Sequence, residues 1–343
     1  MSHSNTLAEF TQDHVETLLH VLSKMFNTTV IHATYALHQL QGGTVGAVYR
    51  VTGSAELIDG ESIPYNVVLK KQKKWSRHFD PNSWRREYDL YHSGLEQEFT
   101  KHFAWPTCYH AELKDDETEL WIAYIEGVTG LEMSVEMYAR AAKELGRFQG
   151  KLYTSQPAIL ETMTNLSHLD NMKKMYLHYR SWPEVYDYIR ADECDIPQHL
   201  CQMLIDVDEQ EHDVWSRIEQ LPIVLCHRDY WVTNIFCHGE TISAIDWDTT
   251  GWGYLGEDIA SLIADEAKVD LMIECYDTCV TAYYEGFSEY SDITHQAEHR
   301  IHELILVMFG YRLIEWYKFA KTPDEKALHL RTLHNIFEMG QYR

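Results

Sequence analysis

Residues 11–26 place apolar side chains at Val15, Leu18, Leu19, Leu22, Met25 and Phe26. That i, i+3, i+4 spacing predicts a helix with one buried face. From 29 to 71 the period shortens to two, and Val, Thr, Tyr and Gly become frequent. Asp59-Gly60 lies between two alternating runs and predicts the turn of a β-hairpin. Asp80-Pro81 predicts an N-cap with proline at the first helical position. The helix it opens runs through Trp84, Glu87, Leu90 and Tyr91. Strand-like stretches follow at 104–113 and 119–125. Past Gly127 the pattern is helical over 134–153, 198–219, 258–288 and 296–320, broken by a β-rich island at 223–247. The expectation is an α+β chain in two parts. Residues 1–127 form a small β-rich lobe and 128–343 a larger, mainly helical one. Gly127 and Gly130 lie at the join, where a hinge needs permissive backbone. A length of 343 residues suits two domains.

The β-rich island carries the candidate chemistry. In LCHRDYWVTNIFCHGETISAIDWD (225–248), two apolar runs each end in a polar cluster. The first gives His227, Asp229 and then Asn234 five residues on; the second gives Asp246. Phosphoryl transfer needs such a set: one carboxylate to orient the attacking hydroxyl and accept its proton, and an amide oxygen with a second carboxylate to hold Mg²⁺ against the phosphates. Asp229 suits the first role, Asn234 and Asp246 the second. His227 reads as a buried imidazole that holds the loop through hydrogen bonds. Asp248, two residues past Asp246, suits a metal or a substrate contact equally well.

These residues resemble the H-x-D-x-x-x-x-N loop and metal Asp of the kinase-like superfamily. The form HRDYWVTN followed by IDWD is similar to the aminoglycoside phosphotransferase and choline kinase branch. The resemblance implies a two-lobed protein-kinase-like fold with Mg·ATP between the lobes. It runs from about residue 30 to about 265. Upstream, Gly42-Gly43-Thr44-Val45-Gly46-Ala47-Val48 is a glycine-rich turn leading into a strand. Gly43, Thr44 and Gly46 would let backbone N–H groups approach phosphate, although a plain hairpin turn has the same composition. Gln41 stands where the protein kinase pattern has its first glycine. Lys70 ends the apolar run Val67-Val68-Leu69, as in a V-A-I-K strand, with Glu87 on the next helix as its partner. Lys71, Lys73 and Lys74 are its competitors. Residues 120–127 occupy the position of the strand and hinge that receive adenine, through backbone groups at Ala123 and Ile125. Val48 and Val68 would wall the base. Asp258 heads a helix and is assigned a structural role under the catalytic loop, beside the simpler reading of an N-cap. Only 12 residues separate Asp246 from Asp258, with no A-P-E motif. This argues for a small-molecule acceptor and against a protein kinase.

Composition narrows the acceptor. Net charge is −24, with seven Lys/Arg against three Asp/Glu over 64–90 and 20 against 44 over 91–343. An acidic chain repels phosphate backbones and anionic lipid, so neither nucleic acid nor membrane is an expected partner. The acidic second part favours a cationic acceptor: an aminoglycoside-like molecule, or choline or another amino alcohol. Glu193/Asp195 and Asp265/Glu266 are candidate amine contacts. Among the aromatics, Trp231 in the catalytic loop is the first candidate to touch substrate. Seven cysteines without a repeated CxxC, and an N-terminus lacking the basic and apolar regions of a signal, predict reduced thiols in the cytoplasm. The rival from another class is a nucleotide-binding pseudokinase that serves as a scaffold.

Overall fold

The computed structural model describes residues 10–40, 46–265, 268–292 and 300–341. The chain forms two compact units. One comprises the described residues up to Gly94 together with Trp105–Glu126; the other comprises Leu95–Ala104 and Gly127–Arg343. A single cut at 127 would leave 95–104 in the first unit. This segment instead packs in the second, where Phe103 stacks on Phe148 at 5.0 Å between ring centroids.

The first unit begins with α1 (Gln12–Phe26), capped by the Thr11 hydroxyl. A six-stranded antiparallel sheet follows: β1 (Val30–Ala33), β2 (Ala36–Gln39), β3 (Gly46–Leu57), β4 (Ser62–Lys73), then β6 (Cys108–Lys114) and β7 (Glu117–Ala123). The short β5 (Phe103–Ala104) precedes β6 in the chain and belongs to the second unit. The sheet order is β1-β3-β4-β7-β6, with β2 also on β3. The β3–β4 hairpin turns at Asp59-Gly60 as predicted, with Gly60 at φ 87°. Period-two alternation gives the sheet two faces. Val51, Ala55, Leu57, Tyr65, Val67, Leu69 and Trp121 point towards Leu18, Val21 and Leu22 of α1 and form the core. Each such aliphatic side chain contributes about 1.5–3 kcal/mol by burial. Val68, Leu120 and Ile122 form a smaller apolar cluster, with Val48, Tyr88 and Tyr124 against it.

The helix expected from Asp80 starts differently. A 3₁₀ turn (Ser83–Arg85) leads into α2 (Arg86–Tyr91), and no side chain caps either. The Asp80 carboxylate instead receives both terminal nitrogens of buried Arg86, at 2.6 and 2.9 Å. A bidentate charged pair outcompetes a single cap bond.

The second unit is mainly helical. Its long α3 (Val135–Ser155) is capped by Ser134. It is followed by α4 (Ile159–Thr162), α5 (Asn171–Arg180), α6 (Pro183–Tyr186), α7 (Gln198–Glu209) and α8 (Glu211–Ile218). The helical pattern at 198–219 is thus two helices, broken at Gln210. A β-rich centre comes next: β9 (Ile223–Cys226), β10 (Ile235–His238), β11 (Thr241–Ala244) and β12 (Gly251–Tyr254). β10 and β11 form a hairpin in the sheet β5-β11-β10-β8, where β8 is Val128–Thr129, while β12 pairs with β9. The remaining helices are α9 (Glu257–Ala264), α10 (Met272–Ser288), α11 (Ile301–Lys318) and α12 (Pro323–Gln341). α3 and α10 cross closely because Gly146 and Gly286 lack side chains. A Cβ at Gly146 would lie 2.2 Å from the Tyr283 carbonyl oxygen, and one at Gly286 2.2 Å from that of Lys143. α11 buries most of its surface, with Leu304, Ile305, Phe309, Leu313 and Ile314 all buried, and keeps Arg312 and Glu315 half-exposed.

Candidate active site

Sheet register fixes the candidate residues of the first unit. Val48 pairs with Lys70 across β3 and β4, and Lys70 with Leu120 across β4 and β7. Directly opposite residues share a face, so Lys70 projects on the side that carries Val48, Val68 and Ile122. There its amine meets the Glu87 carboxylate at 2.5 Å, and the Glu87 side chain is only 3% exposed. Lys71 points to the other face and pairs with Glu119 at 3.0 Å, beside His14 of α1. Lys74 pairs with Asp116. Among the four lysines, the pleat singles out Lys70 for the face that carries Val48, Val68 and Ile122.

Two expectations change in detail. Gly46 opens β3, and a Cβ there would lie 2.5 Å from the Lys71 carbonyl oxygen, so the sheet itself requires glycine at this position. Gly43 and Thr44 lie outside the described residues. The Ala123 N–H donates to the Thr107 carbonyl at 2.8 Å and so is engaged within the first unit. Ile125 follows in the irregular stretch after β7.

In the second unit one hairpin assembles the rest. Ile235 is the first residue of β10 and pairs with Ala244, the last of β11. That register sets Asn234 beside Ile245, whose N–H donates to the Asn234 carbonyl at 2.9 Å. Asp246 comes next, at φ 65°. Left-handed backbone at a residue with a Cβ carries strain and turns the chain sharply away from the strand. The Asn234 amide nitrogen donates to the Asp229 carboxylate at 2.8 Å and to its carbonyl at 3.0 Å. A carboxylate only accepts, so this contact orients the amide and leaves its oxygen as the atom suited to a cation.

His227 is 1% exposed and joins the two ends of this arrangement. The Asp229 N–H donates to its Nδ1 at 3.3 Å, so the ring proton sits on Nε2, which donates to the Ile245 carbonyl at 2.9 Å. Asp258, at the start of α9, grips the loop from below. Its carboxylate accepts from the N–H groups of His227 (2.9 Å) and Arg228 (2.7 Å) and from the Gln149 side-chain amide (2.9 Å). Burial pushes the Asp258 carboxyl up to about 7, against the opposing pull of the Arg228 N–H. Asp258 is thus a buttress, and no side-chain cap bond marks it as an N-cap.

Three members of this network carry no motif signal: Gln149 on α3, Glu257 beside Asp258, and Ser167. Gln149 offered one hint, a polar residue on the buried face of an amphipathic helix. Trp231 is half-buried, and Asp248 is buried at 6% exposure. Asp195 pairs with Lys326 at 2.6 Å and also accepts from the Tyr188 hydroxyl. Glu193 is exposed, Asp265 ends α9 with its N–H on the Ser261 carbonyl, and Glu266 lies outside the described residues.

Comparison with known proteins places these features in a class. The model of the phosphotransferase enzyme family matches residues 68–293. Since that span exceeds half of the chain, the protein belongs to this family, and it has the two-lobed kinase-like fold. Among solved structures, it is similar to the amicoumacin kinase hAmiN in complex with AMP-PNP, Ca²⁺ and Ami, at 14% identity and a TM-score of 0.51 over 96% of this chain and 94% of that one. It is similar to the choline kinase from Cryptosporidium parvum Iowa II at 13% identity and a TM-score of 0.54, over 90% and 89%. It is similar to aminoglycoside 2'-phosphotransferase-IIIa in its GDP complex at 12% identity and a TM-score of 0.56, over 96% and 100%. At these identities the likeness defines the fold. No curated protein matches the sequence. No helix among the described residues is long and apolar enough to cross a membrane.

Proposed function

We propose that the chain transfers the γ-phosphoryl group of ATP to a hydroxyl of a small, cationic molecule of aminoglycoside type, with choline or another amino alcohol as the second reading. The observation that carries the proposal is that Asn234 and Asp246 flank one hairpin and Asn234 bonds the Asp229 carboxylate. Asp229 accepts the hydroxyl proton as the oxygen attacks phosphorus, and ADP leaves with the electron pair of the broken bond. The hydrogen bond from Asn234 and the fixed His227 ring hold Asp229 in one orientation. Lys70, steadied by Glu87, neutralises phosphate charge, and Val48 and Val68 offer apolar contact to the base.

The donor set fits a magnesium ion. Asn234 and Asp246 offer one amide and one carboxylate oxygen, the hard donors this ion takes, and Mg²⁺ completes its shell with phosphates and water. Among the described residues no cluster of three or more His, Cys, Asp or Glu competes for a metal. When bound, the ion would neutralise charge on the phosphates.

A small acceptor is supported by the chain after Asp246. A 3₁₀ turn (Trp247–Thr249), β12 and the start of α9 take up all but Thr250, Leu255 and Gly256 of the stretch to Asp258. This leaves no segment to dock a protein substrate. A cationic acceptor is supported by the charge of −24. The test is ADP release from Mg·ATP across aminoglycosides, macrolides, choline, amino alcohols, amino acids and sugars, alongside Asp229→Ala. Turnover with one acceptor class, lost in the variant while ATP binding persists, supports the enzyme. ATP binding without turnover on any hydroxyl supports the scaffold instead.

A further inference from the structure

Among the side chains of the catalytic loop that the transfer chemistry does not use, Arg228 has the most polar partners. Arg228 lies between His227 and Asp229 at φ 66°. Glycine adopts this left-handed backbone without strain, whereas a residue with a Cβ does not. Arginine here therefore needs an offsetting gain from its side chain.

That gain is visible in its partners. The Arg228 side chain is 7% exposed, and its Nε donates to Glu257 Oε1 at 2.8 Å. Nη1 donates to the Ser167 hydroxyl at 2.9 Å and to the His168 carbonyl at 2.8 Å, and Nη2 reaches the Leu169 carbonyl at 3.5 Å. Ser167 is fastened in turn to the strand after the metal-site loop. Its N–H donates to the Thr250 carbonyl at 2.9 Å, and its carbonyl accepts from the Trp252 N–H at 3.1 Å. Asn171, the first residue of α5, donates to the same hydroxyl at 2.9 Å. The second Glu257 oxygen accepts from the Tyr254 N–H at 3.1 Å.

We propose that Arg228 is a positioning residue, whose guanidinium straps 167–169 to the catalytic loop and thereby fixes the Asp229 carboxylate relative to α5. The inference rests on the phosphotransfer reading for its consequence, though not for its geometry. The fork shape of the guanidinium matters, because a lysine ammonium cannot span the carboxylate, hydroxyl and carbonyls together. The strap acts on the aim of Asp229. Lys70 and its partners lie in the other unit and do not depend on it.

The test uses the full-length chain with Arg228→Gly, Arg228→Lys and Ser167→Ala. Glycine keeps the left-handed backbone and deletes only the strap, so Arg228→Gly separates the side chain from the turn. One readout is peptide-resolved hydrogen exchange; the other is steady-state ADP release from Mg·ATP with water as acceptor. The expected result for Arg228→Gly is faster exchange confined to 165–171, 227–231 and 250–254. Its kcat falls about 10- to 100-fold while KM for Mg·ATP stays within about twofold. Added guanidinium ion at low millimolar concentration restores part of the loss. Arg228→Lys recovers less than guanidinium does, and Ser167→Ala shows the same pattern at smaller amplitude. Wild-type kcat in Arg228→Gly overturns the proposal, as does a loss of kcat with unchanged exchange at 165–171. Exchange that quickens throughout the second unit, without rescue, also overturns it by showing general destabilisation. If the wild-type chain neither binds nor turns over Mg·ATP, the phosphotransfer reading fails. Exchange then still decides the strap: local loss of protection in Arg228→Gly supports it, and unchanged protection overturns it.

Discussion

Asp258 offers the sharpest test of how the catalytic loop is held. Its carboxylate accepts three N–H donors, from His227, Arg228 and Gln149, in a site where Asp258 itself is 1% exposed. Alanine would orphan the His227 and Arg228 N–H groups, while the Gln149 amide nitrogen keeps its bond to the Leu225 carbonyl at 3.0 Å. At about 1–3 kcal/mol for each buried unsatisfied donor the loss is about 2–6 kcal/mol, a large part of the whole stability of many domains. Asp258→Ala is therefore expected to fold poorly. Asp258→Asn keeps the shape and one carbonyl oxygen. Placed at the Oδ2 position, that oxygen still serves His227 and Gln149, while the amide nitrogen faces the Arg228 N–H. One donor is lost, at about 1–3 kcal/mol. The pH dependence adds a second, independent check. Burial raises the folded Asp258 carboxyl from the usual 3.8 to about 7. Between those values the folded chain binds the extra proton. The stability it contributes is thus complete below about pH 4 and lost as pH rises through about 7. The slope is about 1.4 kcal/mol per pH unit, so from about pH 5.5 to 7.5 wild type loses about 2 kcal/mol that Asn, which does not titrate, never had. Urea midpoints, followed by tryptophan fluorescence and compared at constant m, should show the gap between wild type and Asp258→Asn narrowing over this range. A gap that stays constant or widens as pH rises would refute the reasoning. It would mean that the three donors keep the group ionised and that burial is the lesser effect.

Other outcomes follow from the same geometry. Lys70→Met removes the cation that faces Glu87 and, on the proposed function, should raise KM for Mg·ATP on the order of 100-fold, read from ADP release. Asn234→Asp keeps an oxygen for a divalent ion but replaces the N–H donor to Asp229 with a like charge. That raises the Asp229 pKa and should move the rising limb of the kcat–pH profile to higher pH, as a pH series would show. Lys326 first, then Tyr188, holds the Asp195 carboxyl down at about 2. This depressed value means its contribution is present above about pH 4 and is lost as pH falls through about 2. Asp195 is half-exposed, so the contribution is at most about 1 kcal/mol. Acid unfolding of Lys326→Met should accordingly lack that small loss between about pH 4 and 2.

Much of this was legible in the sequence because it is local. The α1 stripe, the Asp59-Gly60 turn and the helical pattern over 134–153 each depend on neighbours a few residues away, and each appears at the expected position. The polar clusters at 227–234 and 246 could be read because apolar strands flank them at short range. What escaped depends on distant partners. Arg86 draws Asp80 away from capping, and only the folded chain brings the two together in that way. α5 and α12 gave no separate signal. β12 is four residues, Gly-Trp-Gly-Tyr, whose strand character comes from pairing with β9. Gln149, Ser167 and Glu257 bond to residues between 3 and 109 positions away, so no spacing rule could have named them.

The candidate residues of the two units are therefore held by different physics, and that difference makes their failures separable. Lys70 owes its placement to sheet register and one buried ion pair. On the proposed function, a change there should alter how strongly phosphate is held and leave residues 227–234 as they were. Asp229 owes its aim to hydrogen bonds from Asn234 and to the anchoring of its neighbours by His227, Arg228 and Asp258. A change there moves a carboxylate by fractions of an ångström and leaves Lys70 as it was. Interactions made equally in ground and transition states set KM, and those realised only as the proton moves set kcat. Variants in the first unit should then sort onto KM for Mg·ATP, and those around the hairpin and α9 onto kcat.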